Sequence, residues 1–176
     1  MNVPNVITGL RTLAAIGLAV ASISIGSRSL VLAAYLCYWL GDMLDGLSAR
    51  WLGQETRVGA VFDIVADRAC ASLCAAALLA LRPHLALPVG VFLVQFTLVD
   101  CLLSLSFLRW PILGPNYFGV VDRTVYRWNW SPPAKVVNSG GLIVLAVFAP
   151  TPWWPTLLAL AVLGIKVLSL KAVANR

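Results

Sequence analysis

The chain has 176 residues, of which 60% are hydrophobic and only 11% charged, and its mean hydropathy is +0.88. Those fractions lie outside the range of a water-soluble domain and exclude a soluble globular enzyme. The formal net charge of +6 comes with no nucleic-acid-binding motif. It is therefore ascribed to membrane insertion and to anionic lipid or phosphate ligands, with no nucleic-acid partner.

A membrane-spanning helix needs ~20 apolar residues, so this length accommodates about six helices with short connections. The first apolar run predicts a helix over about residues 5–26. Its lead-in, Met1-Asn2-Val3-Pro4, has no basic stretch and Arg11 falls inside the run, so it reads as a retained span and not as a cleaved signal. The next two runs predict helices over about 28–52 and 56–81. The short polar link from Trp51 to Glu55 makes these two antiparallel neighbours. A fourth helix is expected over about 86–109. Pro111, Pro115, Pro132 and Pro133 then interrupt the pattern, leaving a polar and aromatic stretch with Asn116, Tyr117, Asp122, Arg123, Arg127 and Asn129. The last two helices are expected over about 134–150 and 153–172.

Continuous apolar runs exclude a β-barrel, whose strands alternate. The expected fold is all-α, a polytopic membrane bundle of about six transmembrane helices, with residues 1–176 forming a single domain. A cytoplasmic N-terminus puts Arg50, Arg57, Arg109, Arg123, Arg127, Lys135, Lys171 and Arg176 on one side and leaves Arg28 and Arg82 opposite, so both termini are expected in the cytoplasm. Cys37, Cys70, Cys74 and Cys101 fall within predicted helices with no metal-ligand spacing and read as small packing residues. His84 reads as an exposed residue of a distal loop.

The seven acidic residues are unevenly placed: Asp42, Asp45, Asp63 and Asp67 lie in helices two and three, and only Glu55, Asp100 and Asp122 lie elsewhere. A charged Asp at mid-bilayer costs at least ~2.5 kcal/mol on insertion scales, so four together need compensating cations. At ~100° per residue, Asp42, Asp45, Gly46 and Ala49 share one face of helix two, and Gly59, Asp63 and Asp67 one face of helix three. Both stripes are expected near the cytoplasmic end, where four carboxylates can converge on divalent metal. Hard oxygen ligands without a His or Cys set favour Mg²⁺ or Mn²⁺.

The full string reads Asp42-x-x-Asp45-Gly46-x-x-Ala49-Arg50, eight residues, then Gly59-x-x-x-Asp63-x-x-x-Asp67. It resembles, without departure, the defining motif of the CDP-alcohol phosphatidyltransferase family. Val3-Pro4-Asn5-Val6-Ile7-Thr8 with Arg11 is also similar to the start of the phosphatidylglycerophosphate and phosphatidylinositol synthases. The resemblance implies a six-helix membrane enzyme of phospholipid biosynthesis. Its donor is a CDP-linked lipid, most often CDP-diacylglycerol. An alcohol attacks the lipid-side phosphorus, expelling CMP, with two divalent ions clamping the reacting oxygens.

Carried over position by position, the resemblance makes Asp42, Asp45, Asp63 and Asp67 the metal ligands and Asp67 also the catalytic base. Arg50 would face the pyrophosphate, and Gly46, Ala49 and Gly59 would leave room for the cytidine. Asn5, Thr56 and Arg57, expected at the same level, are further candidates for donor binding. Arg109, Arg123, Arg127 and Lys135 are candidates for binding a phosphorylated acceptor. Glycerol-phosphate-using relatives carry an Arg-Glu pair in the fourth helix; here Val99-Asp100 stands there, followed by Arg109. The Asp67-Arg68 and Tyr126-Arg127 pairs lean toward inositol-type relatives, and the acceptor stays open among glycerol 3-phosphate, inositol or its phosphate, phosphatidylglycerol and serine. The family resemblance further implies a homodimer, with the site facing the cytoplasm of a bacterial cell membrane. Two other readings of buried carboxylates are an ion or proton transporter and a metal-dependent prenyltransferase. The first calls for charge in several helices and repeat symmetry, and the second for differently spaced acids and a longer chain.

Overall fold

The computed structural model describes residues 2–176, apart from the side chains of Ser139 and Val147. Seven helices and short 3₁₀ turns make up the described residues, with no strand among them. Local sequence sets the first boundaries. Helix α1 (Val3–Ile25) is capped by Asn2, whose side chain accepts from the Asn5 amide, and ends at Gly26, where φ is 71°. That left-handed residue turns the chain at no side-chain cost. Ser27 caps α2 (Arg28–Trp51), and Thr56 caps α3 (Arg57–Leu81) by accepting from the Gly59 amide. Helix α4 (Pro83–Arg109) is continuous but not uniform, with a π-helical turn over Gln95–Asp100 and a 3₁₀ end over Ser106–Arg109. Then come α5 (Arg123–Asn129), α6 (132–148) and α7 (Trp153–Ala174).

All six expected apolar runs are helical, with ends close to those read from the sequence. Five of them, α1 to α4 and α7, are long and apolar enough to cross a membrane. Helix α6 is the exception. At 1.5 Å per residue it spans about 25 Å, short of the ~30 Å hydrocarbon core, and it includes a π-helical turn over Val136–Gly141. The stretch between Pro111 and Pro133 is also more ordered than its composition predicted. A 3₁₀ helix covers Pro115–Val120, and α5 follows, capped by the Asp122 carboxylate, which accepts from the amides of Thr124 and Val125.

The chain divides into two compact units, Met1–Pro83 and His84–Arg176. In the first, α1 packs along both α2 and α3. At one end the contact is made by small side chains, with Ala19, Ala34, Cys74 and Ala77 buried together. Toward the other end lie the charges. The outward faces carry Leu13, Leu32, Leu40, Met43 and Leu44, a surface suited to lipid tails.

In the second unit α4 packs against α7. Asp100, at the end of the π turn, is buried and paired with Lys166 of α7, also buried. One turn further along α7, Ser169 accepts from Asn129 Nδ2 at 2.8 Å, tying α5 to the same helix. Phe118 sits between Trp110 and Trp130, with ring centroids 5.3 and 4.8 Å away, which gives the Pro-rich stretch its own small core. Arg109 donates to the Val173 carbonyl at 3.0 Å, and Arg176 pairs with Asp122 at 2.7 Å.

Candidate metal centre

The acidic stripes of α2 and α3 meet in the first unit. At 1.5 Å per residue, Asp45 and Asp42 lie about 9 and 14 Å from the C-terminal end of α2, and Asp63 and Asp67 about 9 and 15 Å from the start of α3. Because the two helices run in opposite directions, those positions fall at one level. One carboxylate oxygen from each of Asp42, Asp63 and Asp67 lies within 4.8 Å of the others. All three residues are half-buried.

Asp45 is placed differently. It is 4% exposed, and its Oδ2 accepts from Thr8 Oγ1 and from Arg11 Nε, both at 2.7 Å. Thr8 and Arg11 lie on the stripe of α1 that also buries Pro4, Ala15, Ala19 and Ser22. Helix α1 therefore supplies a hydroxyl and a guanidinium to a cluster whose acids come from α2 and α3. Arg11 Nη2 lies 2.5 Å from Asp63 Oδ1, 3.1 Å from Asp67 Oδ1 and 3.5 Å from Asp42 Oδ1. The guanidinium carbon also sits 5.7 Å from the centre of the Tyr38 ring. This single cation touches all four acids. Arg11 is not among the site residues expected from the sequence, where it marks the first span as retained and forms part of the family resemblance. The available signal was its place, three residues after Thr8, on the one face of α1 that turns inward.

The expected donor-binding residues fall into two groups around this cluster. Gly59, Thr56 and Asn5 are together: a Cβ added to Gly59 would lie 2.9 Å from Thr56 Oγ1 and 3.0 Å from Asn5 Oδ1. The start of α1 is held there by the α2–α3 link, as Asn2 Nδ2 donates to the Gln54 carbonyl at 2.9 Å and the Val3 amide to Gln54 Oε1 at 3.1 Å. The second group is on α2. The Arg50 guanidinium reaches back over Gly46, with Nη1 3.4 Å from where a Cβ would stand. Ala49 is half-buried, and Arg50 and Arg57 are exposed. The candidate acceptor residues belong to the second unit. Arg123 and Arg127 are exposed one turn apart on α5, and Lys135 donates to Asn116 Oδ1 at 2.7 Å. Asp100 of the same unit is paired with Lys166.

The donor set suits a hard divalent cation. Its ligands are carboxylate oxygens from two helices, with no sulfur or imidazole among the clustered residues. Four acids outnumber the Arg11 guanidinium and that of Arg68, whose charge also acts on Asp67, and the anionic excess calls for further cations in a membrane interior.

The class is thus an integral membrane protein built on a helical bundle around an acidic, metal-suited centre. The chain belongs to the CDP-alcohol phosphatidyltransferase family, whose sequence profile matches residues 1–170 and so runs through both units. Members transfer a phosphatidyl group from a CDP-alcohol in phospholipid synthesis and use divalent metal, which makes this chain a membrane transferase. Comparison with curated proteins and with solved structures gave no match.

Proposed function

We propose that the protein transfers the phosphatidyl group of CDP-diacylglycerol to an alcohol, with Mg²⁺ or Mn²⁺ held by Asp42, Asp63 and Asp67 and completed by Asp45. The observation that carries this reading is the convergence of three of the motif's acids, Asp42, Asp63 and Asp67, from two helices, within 4.8 Å. Two divalent ions there would neutralise charge on the transferring phosphoryl oxygens and on the departing phosphate.

In this reading the acceptor oxygen forms a bond to the lipid-side phosphorus while the bond from that phosphorus to the CMP oxygen breaks. The acceptor's proton passes to a carboxylate oxygen of Asp67, and CMP leaves as the anion. Asp67 suits the role because it is the deeper of the α3 pair by one turn and is half-buried beside the other acids. Arg50, exposed at the end of α2 and lying over Gly46, is the cation that faces the pyrophosphate. Gly46, Ala49 and Gly59 leave the space for the cytidine, and Asn5, Thr56 and Arg57 contact the donor from beside Gly59. Arg109, Arg123, Arg127 and Lys135 serve a phosphorylated acceptor, with glycerol 3-phosphate and inositol or its phosphate as the two classes to compare. Arg109 and Lys135 already hold intramolecular partners, so Arg123 and Arg127 are the better candidates. Residues 1–176 act as one domain, supported by a family match that spans both units. The protein is a homodimer of a bacterial cell membrane, with its site and both termini toward the cytoplasm.

Purified protein with CDP-diacylglycerol, Mn²⁺ and a responsive acceptor tests the assignment of the base. Asp67→Asn keeps the volume and is expected to cut CMP release by about 10²-fold or more. An Asp67→Asn rate within about threefold of wild type means that another group takes the proton.

A further inference from the structure

Arg11 has no part in the proposed transfer reaction. It is 5% exposed, inside a membrane-spanning helix, and its guanidinium is divided between two tasks. Nε is bonded to Asp45, which Thr8 holds from the other side. Nη2 points among Asp42, Asp63 and Asp67, the same three carboxylates that can share one cation. Nη1 has no hydrogen-bond partner, although it is buried. An ion at the centre of the three acids and Nη2 at its present distances compete for the same oxygen atoms, and their like charges repel.

We propose that Arg11 is a resident counter-cation, filling the place of the divalent ion among Asp42, Asp63 and Asp67 and withdrawing Nη2 when metal enters. This rests on the metal-binding reading of those acids given above. The Nε bond to Asp45 is the pivot, since it uses a different nitrogen from the one that meets the three acids. The outward swing breaks the contacts of Nη2 and shifts the guanidinium over the Tyr38 ring, and no hydrogen bond of Nη1 resists it. Gly41 on α2 makes the seat. A Cβ there would come within 2.5 Å of Arg11 Cβ and 2.6 Å of Cδ, so only a glycine lets the arginine stem pass. The physical result is a centre that avoids four unneutralised carboxylates in the bilayer before metal arrives. The cost is weaker metal binding than the acids alone would give.

The test is metal titration and thermal unfolding of purified, metal-stripped protein in detergent, comparing wild type with Arg11→Gln, Gly41→Ala and Asp63→Asn. Arg11→Gln is expected to melt lower without metal and to bind Mn²⁺ at least about tenfold more tightly, with a larger metal-induced rise in Tm. Gly41→Ala, which keeps the arginine but blocks its path, should shift both readouts in the same direction. Asp63→Asn should weaken the metal response. Folding of Arg11→Gln only when metal is supplied also supports the proposal, and if it folds in neither condition the Gly41→Ala titration decides. A wild-type metal response that Arg11→Gln or Gly41→Ala leaves unchanged or weakens overturns this inference alone. No metal response in wild type overturns the metal-binding reading and the inference with it.

Discussion

A charged side chain inside a bilayer persists only beside a partner, and two such arrangements with a buried cation lie among the described residues. One is Arg11 among four Asp; the other is Lys166 with Asp100. The second is separate from the motif and holds α4 to α7. Asp100→Asn leaves the Lys166 ammonium buried without its counter-charge, and a loss of ~3–5 kcal/mol is expected, read as a lower Tm and denaturant midpoint in detergent. Replacing both partners, as Asp100→Leu with Lys166→Met, should recover most of that loss. Recovery that fails would show that the pair does more than hold the helices. The acids of the candidate site were legible in the sequence because i, i+3 and i, i+4 spacing puts them on helical faces. Their cations were less so. Burial of Arg11 follows from its place in an apolar run, but choosing its carboxylates needs the packing of three helices, with partners more than thirty residues away.

At the level of elements, the caps and short links bring α1 to the cluster. The Asn2 and Gln54 contacts fix the start of α1 against the α2–α3 link, which sets Thr8 and Arg11 at the level of Asp45. Gly59 stands in the first turn of α3, beside the capping Thr56. Gly59→Leu fills that corner and crowds the capping Thr56 hydroxyl, and is expected to raise KM for the CDP-lipid about tenfold or more with a fall in Tm no larger than that of Thr56→Ala, which removes the cap alone. An unchanged KM would remove Gly59 from the donor site. The apolar runs of 18 residues or more were readable from hydropathy alone. The π turns in α4 and α6 were not, because they leave the same apolar pattern as an α-helix. The 3₁₀ helix at Pro115 and the start of α6 were read as interruptions for a different reason. Pro115, Pro132 and Pro133 occupy first-turn positions, where proline lacks only an amide that the helix would not use, so each begins a helix instead of ending one.

For the whole molecule, apolar composition determined the class, and the family match fixed the type of reaction. Sidedness is a prediction of the Lys and Arg distribution. Short tags on both termini should be reached by protease only from the cytoplasmic face, and a tag accessible from outside would reverse the orientation. The acceptor is not written in the four acids, because they act on the phosphorus whatever alcohol attacks it. Arg123→Ala or Arg127→Ala should raise KM for a phosphorylated acceptor several-fold and leave KM for the CDP-lipid unchanged. The most direct measurement is CMP release by the purified protein supplied with CDP-diacylglycerol and a panel of alcohols, with Mn²⁺ or Mg²⁺ and with EDTA. We expect metal-dependent CMP release with at least one acceptor and none in EDTA. Folded protein that releases no CMP with any acceptor, or releases it equally in EDTA, would contradict the proposed chemistry.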